Sequence, residues 1–246
     1  MSPLSLQSVS KTYEGTRALD DLTLDFPEAC ITAVVGPSGC GKSTLLKLFN
    51  GLVRPDTGEV RIFGRQADYG NLAPTRRRMG YAVQGTGLFP HLTARDNITL
   101  LAALEGWQRD TIEGRLQELL ELSQLQPEQL QRYPHQLSGG QQQRVGLCRA
   151  MMLRPDILLL DEPFAAIDPI TRIDIQEQLL VLHRAEPTTA VLVTHDMREA
   201  LRLAHHLVIM DAGRVVCSVN KAGLLEGPDA VDPDTLLQTL LAGRGA

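Results

Sequence analysis

The stretch GPSGCGKST, residues 36–44, decides the fold class of this chain. It matches the pattern G-x-x-x-x-G-K-[ST], whose glycines let the backbone curl so that successive N–H groups point at phosphate oxygens. The apolar run ITAVV precedes the stretch, and the helical pattern STLLKLFNGL begins within it. A strand, a glycine-rich turn and a helix in this order predict a phosphate-binding loop in a parallel α/β sheet.

All nine residues of this phosphate loop are predicted to contact nucleotide: Gly36, Pro37, Ser38, Gly39, Cys40, Gly41, Lys42, Ser43 and Thr44. Lys42 is expected to reach the β- and γ-phosphates of a nucleotide, and the Ser43 hydroxyl to ligate Mg²⁺. The helix that follows adds the positive end of its dipole. A nucleoside triphosphate and Mg²⁺ are therefore the predicted ligands.

A second motif, LLLDEP, supplies the acidic groups that such a loop needs. Asp161 ends an apolar run typical of a buried parallel strand, and it is predicted to hold Mg²⁺. Glu162 follows directly, where a carboxylate can orient and deprotonate the attacking water. General-base catalysis of this kind contributes roughly 10²–10⁴-fold. Glu162 is thus the predicted catalytic base.

Two further polar residues come at the ends of predicted strands. His195, in VTHD, is expected at the same sheet edge as Asp161, within reach of a γ-phosphate. Gln84, in YAVQ, could reach the metal or a water molecule. From position alone each could equally have a structural role, because a lone histidine or glutamine is weak evidence of catalysis.

The order of the patterns predicts the domain organisation. Alternating residues from Leu4 to Phe26 indicate an antiparallel β region, and helical periodicity dominates from Pro90 to about Met152. We therefore predict one domain over 1–246, with a RecA-like P-loop NTPase core sheet at about 1–89 and 153–220. A helical subdomain is inserted at about 90–152. The short tail, 221–246, includes a weak helix at Thr235–Leu241.

Composition excludes several classes of protein. A formal net charge of −5 and 4% aromatic residues are unlike a nucleic-acid binder, and no nucleic-acid partner is expected. Arg76–Arg78 could form a local basic patch or a solvated face. The four widely spaced cysteines predict reduced thiols in a cytosolic protein, with Cys40 open to alkylation. Neither a signal peptide nor a membrane span is predicted.

One motif remains, LSGGQ at 137–141, which we term the signature segment. The phosphate loop, YAVQ, LSGGQ, LLLDEP, AAID and VTHD occur in that order. Together these motifs resemble the ATP-binding cassette of ABC transporters over roughly Leu4–Val219. The signature segment between a phosphate loop and LLLDEP is highly specific for that family.

The resemblance implies a homodimer in which two copies meet head to tail. The signature segment of one copy (Ser138, Gly139, Gly140 and Gln141) would close over the ATP held by the other. It also implies that Tyr13 stacks on adenine and that Asp168 couples the two sites. Gln84 would sense the γ-phosphate, and His195 would act as the switch histidine. Two departures are AAID, where SALD or GALD is commoner, and Gly85, where a polar residue is frequent.

Segments outside the motifs resemble a narrower group. GLFPH and DPITR are similar to osmoprotectant importers for glycine betaine, choline or carnitine. That likeness implies integral membrane permease subunits, indirectly a solute-binding protein, and a peripheral place on the cytoplasmic face of the inner membrane. Many members of the group carry C-terminal CBS domains, and none is expected in this sequence.

Other classes fit less well. An importer for another small solute, such as an amino acid, stays open. A soluble non-transport ABC ATPase usually has two cassettes or a long coiled-coil insertion. A GTPase would need N-K-x-D, whereas this chain has NKAG at 220–223. A binding module without catalysis is hard to reconcile with Lys42, Asp161, Glu162 and His195 together.

Overall fold

The computed structural model describes residues 2–165 and 167–221. The chain divides into two compact units: residues 1–76 with 189–246, and residues 77–188. The predicted subdomain limits near 90 and 152 differ from these divisions and stay a prediction. The helix predicted at Thr235–Leu241 and the last two residues of NKAG lie outside the described residues.

The first unit contains the antiparallel region predicted near the N-terminus. Its sheet has the strand order β2-β1-β4-β5. The strands are β1 (Leu4–Tyr13), β2 (Thr16–Phe26), β4 (Thr57–Ile62) and β5 (Arg65–Gln66). β2 alternates between buried and exposed side chains from Leu22 to Phe26, as expected of a strand with one face on the core.

A second group of strands in the same unit surrounds β3 (Ile31–Val35). β3 pairs in parallel with β8 (Thr189–Thr194) and with β9 (His206–Asp211), and β10 (Arg214–Asn220) is antiparallel to β9. Every residue of β3 and β8 is buried, which explains their continuous apolar sequences. Helices α1 (Lys42–Phe49) and α7 (Met197–Leu203) follow β3 and β8. The sequence patterns used above did not predict α7.

The second unit contains one pair of parallel strands and most of the helices. β6 (Met79–Ala82) pairs with β7 (Ile157–Asp161), and all five residues of β7 are buried. The helices are α3 (Ala94–Leu104), α4 (Arg109–Ser123), α5 (Gly139–Met151) and α6 (Pro169–Ala185). A short helix, α2 (Ala73–Arg77), crosses the division at residue 76. Residues 90–152 contain α3, α4, α5 and two 3₁₀ turns, and no strand.

The basic run Arg76–Arg78 makes specific contacts. Arg76 donates through Nε to the carbonyl of Asn50, at 2.7 Å. Arg77 pairs with Glu105 and Arg78 with Asp156, at 2.7 and 2.8 Å. These contacts give the run a structural role within each unit. In the part of the chain that is described, no helix is both long and apolar enough to cross a bilayer.

A buried ion pair fastens three helices of the second unit together. The side chain of Arg115, on α4, is 2% exposed and donates through Nη2 to Glu186, just after α6, at 2.7 Å. The same nitrogen donates to the carbonyl of Met151 at the end of α5, also at 2.7 Å. A buried charge is stable only when it is paired and hydrogen-bonded, so α4, α5 and α6 depend on this contact.

Glu186→Ala is predicted to destabilise the protein by about 1–3 kcal/mol, because it removes one carboxylate from the buried Arg115, which keeps Glu118 at 3.0 Å and the carbonyl of Met151. Urea unfolding followed by circular dichroism measures the loss. Asp156→Ala is the matched control, since the Asp156–Arg78 pair is half exposed and such pairs contribute at most about 1 kcal/mol. Equal losses in the two variants would contradict the structural role of Arg115.

Candidate functional site

The phosphate loop joins β3 to α1, as predicted, and keeps its lysine inside the curl. The Lys42 ammonium donates to the carbonyls of Gly36 and Pro37 at 2.7 and 2.9 Å. Lys42 is only 6% exposed. Because carbonyl dipoles hold the charge in place, the loop presents a fixed cation to an anion that enters it.

Gly41 fits the loop for two physical reasons. Its φ is +105°, a left-handed conformation that side-chain-bearing residues rarely adopt. A Cβ atom there would also lie 2.3 Å from the carbonyl oxygen of Ala18. Gly41 is the N-cap of α1 and has no side chain with which to cap the first turn. No side chain of the N-cap residue therefore competes with phosphate oxygens for the first N–H groups of α1.

Cys40 is less accessible than the sequence suggested. Its side chain is buried, and its Sγ lies 3.8 Å from the Lys42 ammonium nitrogen. Burial raises the pKa of the Cys40 thiol, and the nearby ammonium offsets that rise only in part. A protonated, buried thiol is a poor nucleophile. The structure therefore argues against the prediction that Cys40 is open to alkylation.

His195 and the phosphate loop emerge at the same edge of the first unit. The parallel pairing of β3 and β8 ends in register, with Val35 opposite Thr194. Gly36 and His195 are the next residues of their strands, and paired strands lie about 4.8 Å apart. The structure thus places the backbone of His195 beside the start of the phosphate loop. Its side chain is exposed.

The second unit brings together three other predicted site residues. β6 and β7 end in register, with Ala82 opposite Leu160. Asp161 ends β7, Glu162 follows it, and Gln84 comes two residues after β6. All three residues therefore lie at the carboxyl ends of this strand pair. Asp161 is buried and Gln84 exposed. Glu162 has φ of +45°, a left-handed conformation that is uncommon outside glycine.

Ser138 and Asp168 each cap a helix of the second unit. The Ser138 hydroxyl accepts from the N–H of Gln141 at 3.3 Å, and the Gln141 side chain accepts from the N–H of Ser138 at 3.0 Å. Asp168 accepts from the N–H of Thr171 at 3.0 Å. That hydrogen bond lowers the pKa of the Asp168 carboxyl. Both caps are exposed, as are Gly139 and the start of α6.

The signature segment needs its second glycine for packing within the second unit. A Cβ atom on Gly140 would lie 2.3 Å from the Thr171 methyl group and 3.5 Å from Ile175. The first turn of α5 therefore packs directly on the first turns of α6. This contact places the two exposed caps, Ser138 and Asp168, at neighbouring helix ends.

Gly140→Ala is predicted to destabilise the protein by about 1–3 kcal/mol, because the added methyl group overpacks the contact between α5 and α6. Gly114→Ala is the control: Gly114 lies within α4, where a Cβ would meet nothing within 4 Å. Alanine in a helix interior favours folding by about 1 kcal/mol over glycine, so this variant should be stabilised. Urea unfolding of both variants measures the difference. Equal stabilities would contradict the close contact.

Tyr13 lies at the end of β1, beside the turn that leads to β2. Its side chain is 41% exposed, and the Lys11 ammonium lies 5.5 Å from the ring centroid. Lys11 is itself paired with Asp56 at 2.6 Å. An exposed aromatic face in the unit that carries the phosphate loop can stack on a base, and its role at adenine stays a prediction.

Three residues that hold the backbone of loops near predicted site residues were missed from the sequence. Asn97, fully buried on α3, bonds both backbone groups of Phe89, at 2.8 and 3.1 Å. Arg149 donates to the carbonyl of Gly87 at 2.8 Å. Gln142 donates to the carbonyls of Pro134 and Leu137 at 3.0 and 3.2 Å. Side-chain bonds to distant carbonyls have no periodic signal in a sequence, so pattern reasoning could not find them.

Comparison with known proteins gives a consistent family. A family model described as ABC transporter matches residues 19–165. The glycine betaine uptake system ATP-binding protein YehX of Escherichia coli is 47% identical over 92% of this chain and 73% of its own length. The glycine betaine/carnitine/choline transport ATP-binding protein OpuCA of Bacillus subtilis is 45% identical over 87% of this chain. The match spans 56% of that relative.

A solved structure shares the fold. It is a dimer of the ATP-binding cassette MJ0796 in a post-hydrolysis state, bound to ADP and Pi. The match has a TM-score of 0.80 and 32% identity over 89% of this chain and 98% of the cassette. The α/β architecture with an additional antiparallel sheet, predicted from the sequence, is therefore confirmed.

Proposed function

This chain belongs to the ABC transporter family, and we propose that it is the ATP-hydrolysing subunit of an importer for a quaternary-amine osmoprotectant. The proposal of ATP hydrolysis rests on the phosphate loop, which encloses Lys42 and begins beside the backbone of His195. The MJ0796 cassette holds ADP and Pi in its dimer, which supports the same ligand class here.

The phosphate loop would bind the β- and γ-phosphates of ATP. Lys42 exchanges its contacts with loop carbonyls for contacts with phosphate oxygens, and the first N–H groups of α1 donate to the same oxygens. The other loop residues, except Pro37, which has no N–H, supply backbone N–H groups. Tyr13 stacks on the adenine. Phosphate binding needs no large rearrangement, because the loop already holds the charge and the helix end.

Mg²⁺ is proposed to accompany the nucleotide. Ser43, Asp161 and Gln84 offer a hydroxyl, a carboxylate and an amide oxygen, which are hard donors suited to this ion. When bound, the ion neutralises charge on the phosphates. Few protein donors are needed, since magnesium commonly keeps several waters and uses substrate phosphates as ligands.

Hydrolysis is assigned to two residues from different strand ends. Glu162 orients and deprotonates the attacking water, and its place directly after Asp161 brings the base to the end of β7. His195 contacts the γ-phosphate and stabilises the charge that develops as the bond to the leaving group breaks. Gln84, which follows β6, senses the γ-phosphate.

The signature segment is proposed to serve the ATP of a second copy. Ser138 and the N–H groups of Gly139 and Gly140 form the positive end of α5, at which Ser138 and Gly139 are exposed. Gln141 holds Ser138 in place, and Asp168 lies at the neighbouring helix end, where it can couple two sites. The dimeric MJ0796 cassette supports this assembly. ATP binding would close the dimer, and hydrolysis would reopen it.

A mixing experiment tests the composite site. Lys42→Ala removes the phosphate-binding cation, and Ser138→Arg blocks the signature segment, so each variant alone should hydrolyse ATP poorly. In a head-to-tail pair, the mixed dimer has one intact site. Mixing equal amounts should restore up to about one quarter of wild-type activity, since half the dimers are mixed and each keeps one of two sites.

Phosphate release from Mg-ATP measures the recovery, and mixing Lys42→Ala with a second phosphate-loop variant, Ser43→Ala, is the control. That control pair has no intact site in any combination and should stay inactive. Activity of the test mixture no higher than the control would contradict the head-to-tail arrangement.

Glu162→Gln should retain ATP binding and lose hydrolysis by about 10²-fold or more, because an amide cannot take the proton of the attacking water. The variant should accumulate as an ATP-bound dimer. Light scattering with saturating ATP measures the dimer, and phosphate release measures turnover. A variant that stays monomeric and hydrolyses at the wild-type rate would show that Glu162 is not the base.

The transported solute is proposed from the relatives. Two of them are ATP-binding proteins of systems named for glycine betaine, and one name adds carnitine and choline. By this likeness the chain would act at the cytoplasmic face of the membrane, bound to permease subunits, with a solute-binding protein supplying the osmoprotectant. A cassette for an amino acid is the alternative.

Uptake of labelled glycine betaine by salt-stressed cells tests the solute. Cells carrying Glu162→Gln in place of the wild type should lose uptake. Unchanged uptake, with the purified variant confirmed inactive as an ATPase, would retain the ATPase and reject this solute. Choline, carnitine and amino acids would then be measured in the same strains.

A further inference from the structure

The residue directly before His195 forms a buried hydrogen bond. The Thr194 hydroxyl donates to Oε2 of Glu199 at 2.7 Å, and Thr194 and Glu199 are 2% and 6% exposed. A hydroxyl that donates to a carboxylate forms a short, strong hydrogen bond. Glu199 belongs to the first turn of α7, so this bond ties the end of β8 to the helix that follows.

The same hydroxyl closes a turn around His195. Its oxygen accepts from the N–H of Asp196 at 3.0 Å. A hydroxyl has one proton and two lone pairs, and giving the proton to Glu199 leaves a lone pair for this N–H. The bond spans from residue 194 to residue 196, and the backbone of His195 is enclosed between its ends.

Asp196 fixes the other side of the turn. Its Oδ1 accepts from the N–H of Arg198 at 2.8 Å and so caps α7. On the strand side, Thr194 is held opposite Val35 by the pairing of β8 with β3. His195 therefore sits in a two-residue connection whose ends are both fixed, next to the first residue of the phosphate loop.

We propose that Thr194 and Glu199 are positioning residues that hold His195 beside the phosphate loop for hydrolysis. The inference rests on the proposed role of His195 at the γ-phosphate. Glu199 orients the Thr194 hydroxyl, the hydroxyl holds the N–H of Asp196, and the turn then presents His195. Neither residue needs to touch the nucleotide.

The chain contains a matched control for this hydroxyl. Thr32 lies on β3, the strand beside β8, and is fully buried. Its hydroxyl has no hydrogen-bond partner among the described residues. Thr32→Val and Thr194→Val are therefore the same chemical change in two buried strands of one unit, and only the second removes hydrogen bonds.

The test measures kcat and KM of the full chain for Mg-ATP. Thr194→Val should lower kcat about tenfold, because a small misplacement of a catalytic group costs rate, while KM stays within about twofold. Thr194→Ser keeps the hydroxyl and should recover kcat to within about twofold. Thr32→Val should match the wild type. Unfolded protein would also lower the apparent kcat at unchanged KM, so each rate is expressed per folded molecule, with the folded fraction measured by circular dichroism.

A double variant guards against misfolding of Thr194→Val. Thr194→Val with Glu199→Met removes both partners of the hydrogen bond between these side chains. The Glu199 carboxylate is then not left buried against the methyl group of valine. It should fold and still show the lowered kcat. The inference is overturned if a folded Thr194→Val or double variant turns over within twofold of Thr32→Val, or if Thr194→Ser is as slow as Thr194→Val.

The same assay separates this inference from the proposed function. Wild type and Glu162→Gln are measured beside the threonine variants. Hydrolysis by the wild type and its loss in Glu162→Gln would support the ATPase function whatever the Thr194 result. A wild type that does not hydrolyse ATP would overturn the proposed function, and this inference with it.

Discussion

Parallel strands that end in register are the constraint on which the candidate site depends. Val35 lies opposite Thr194 in one unit, and Ala82 lies opposite Leu160 in the other. Because parallel strands share a direction, the residues that follow two paired strands lie together at the carboxyl ends of those strands. The phosphate loop and His195 follow the first pair, and Gln84, Asp161 and Glu162 follow the second.

Burial of these strands fixes the positions of the residues at their carboxyl ends. β3, β7 and β8 are buried along their whole length, so their register cannot slip without moving apolar side chains into water. The polar residues at the ends of these strands are therefore held in fixed positions along the chain. Hydrogen bonds within the turns then fix the last residues, as Thr194 and Asp196 do on either side of His195.

The signature segment depends on a different kind of contact. It begins a helix whose first turn packs on α6 through Gly140, and its cap is closed by reciprocal bonds between Ser138 and Gln141. The far end of α5 is held by Arg115 through the carbonyl of Met151. Both ends of this helix are therefore fixed within the second unit, while Ser138 and Gly139 stay exposed.

The sequence by itself determined the family, the strand–loop–helix around residues 36–49 and the buried strands, since glycine spacing and apolar runs are local signals. It also predicted the site residues, most of which follow a strand or begin a helix, and their roles stay predictions. Only the tertiary structure showed that Cys40 is buried and that Asn97, Arg149 and Glu199 bind distant or turn-closing groups. Those contacts depend on which atoms the fold brings within 3 Å, and no periodicity in the chain records that.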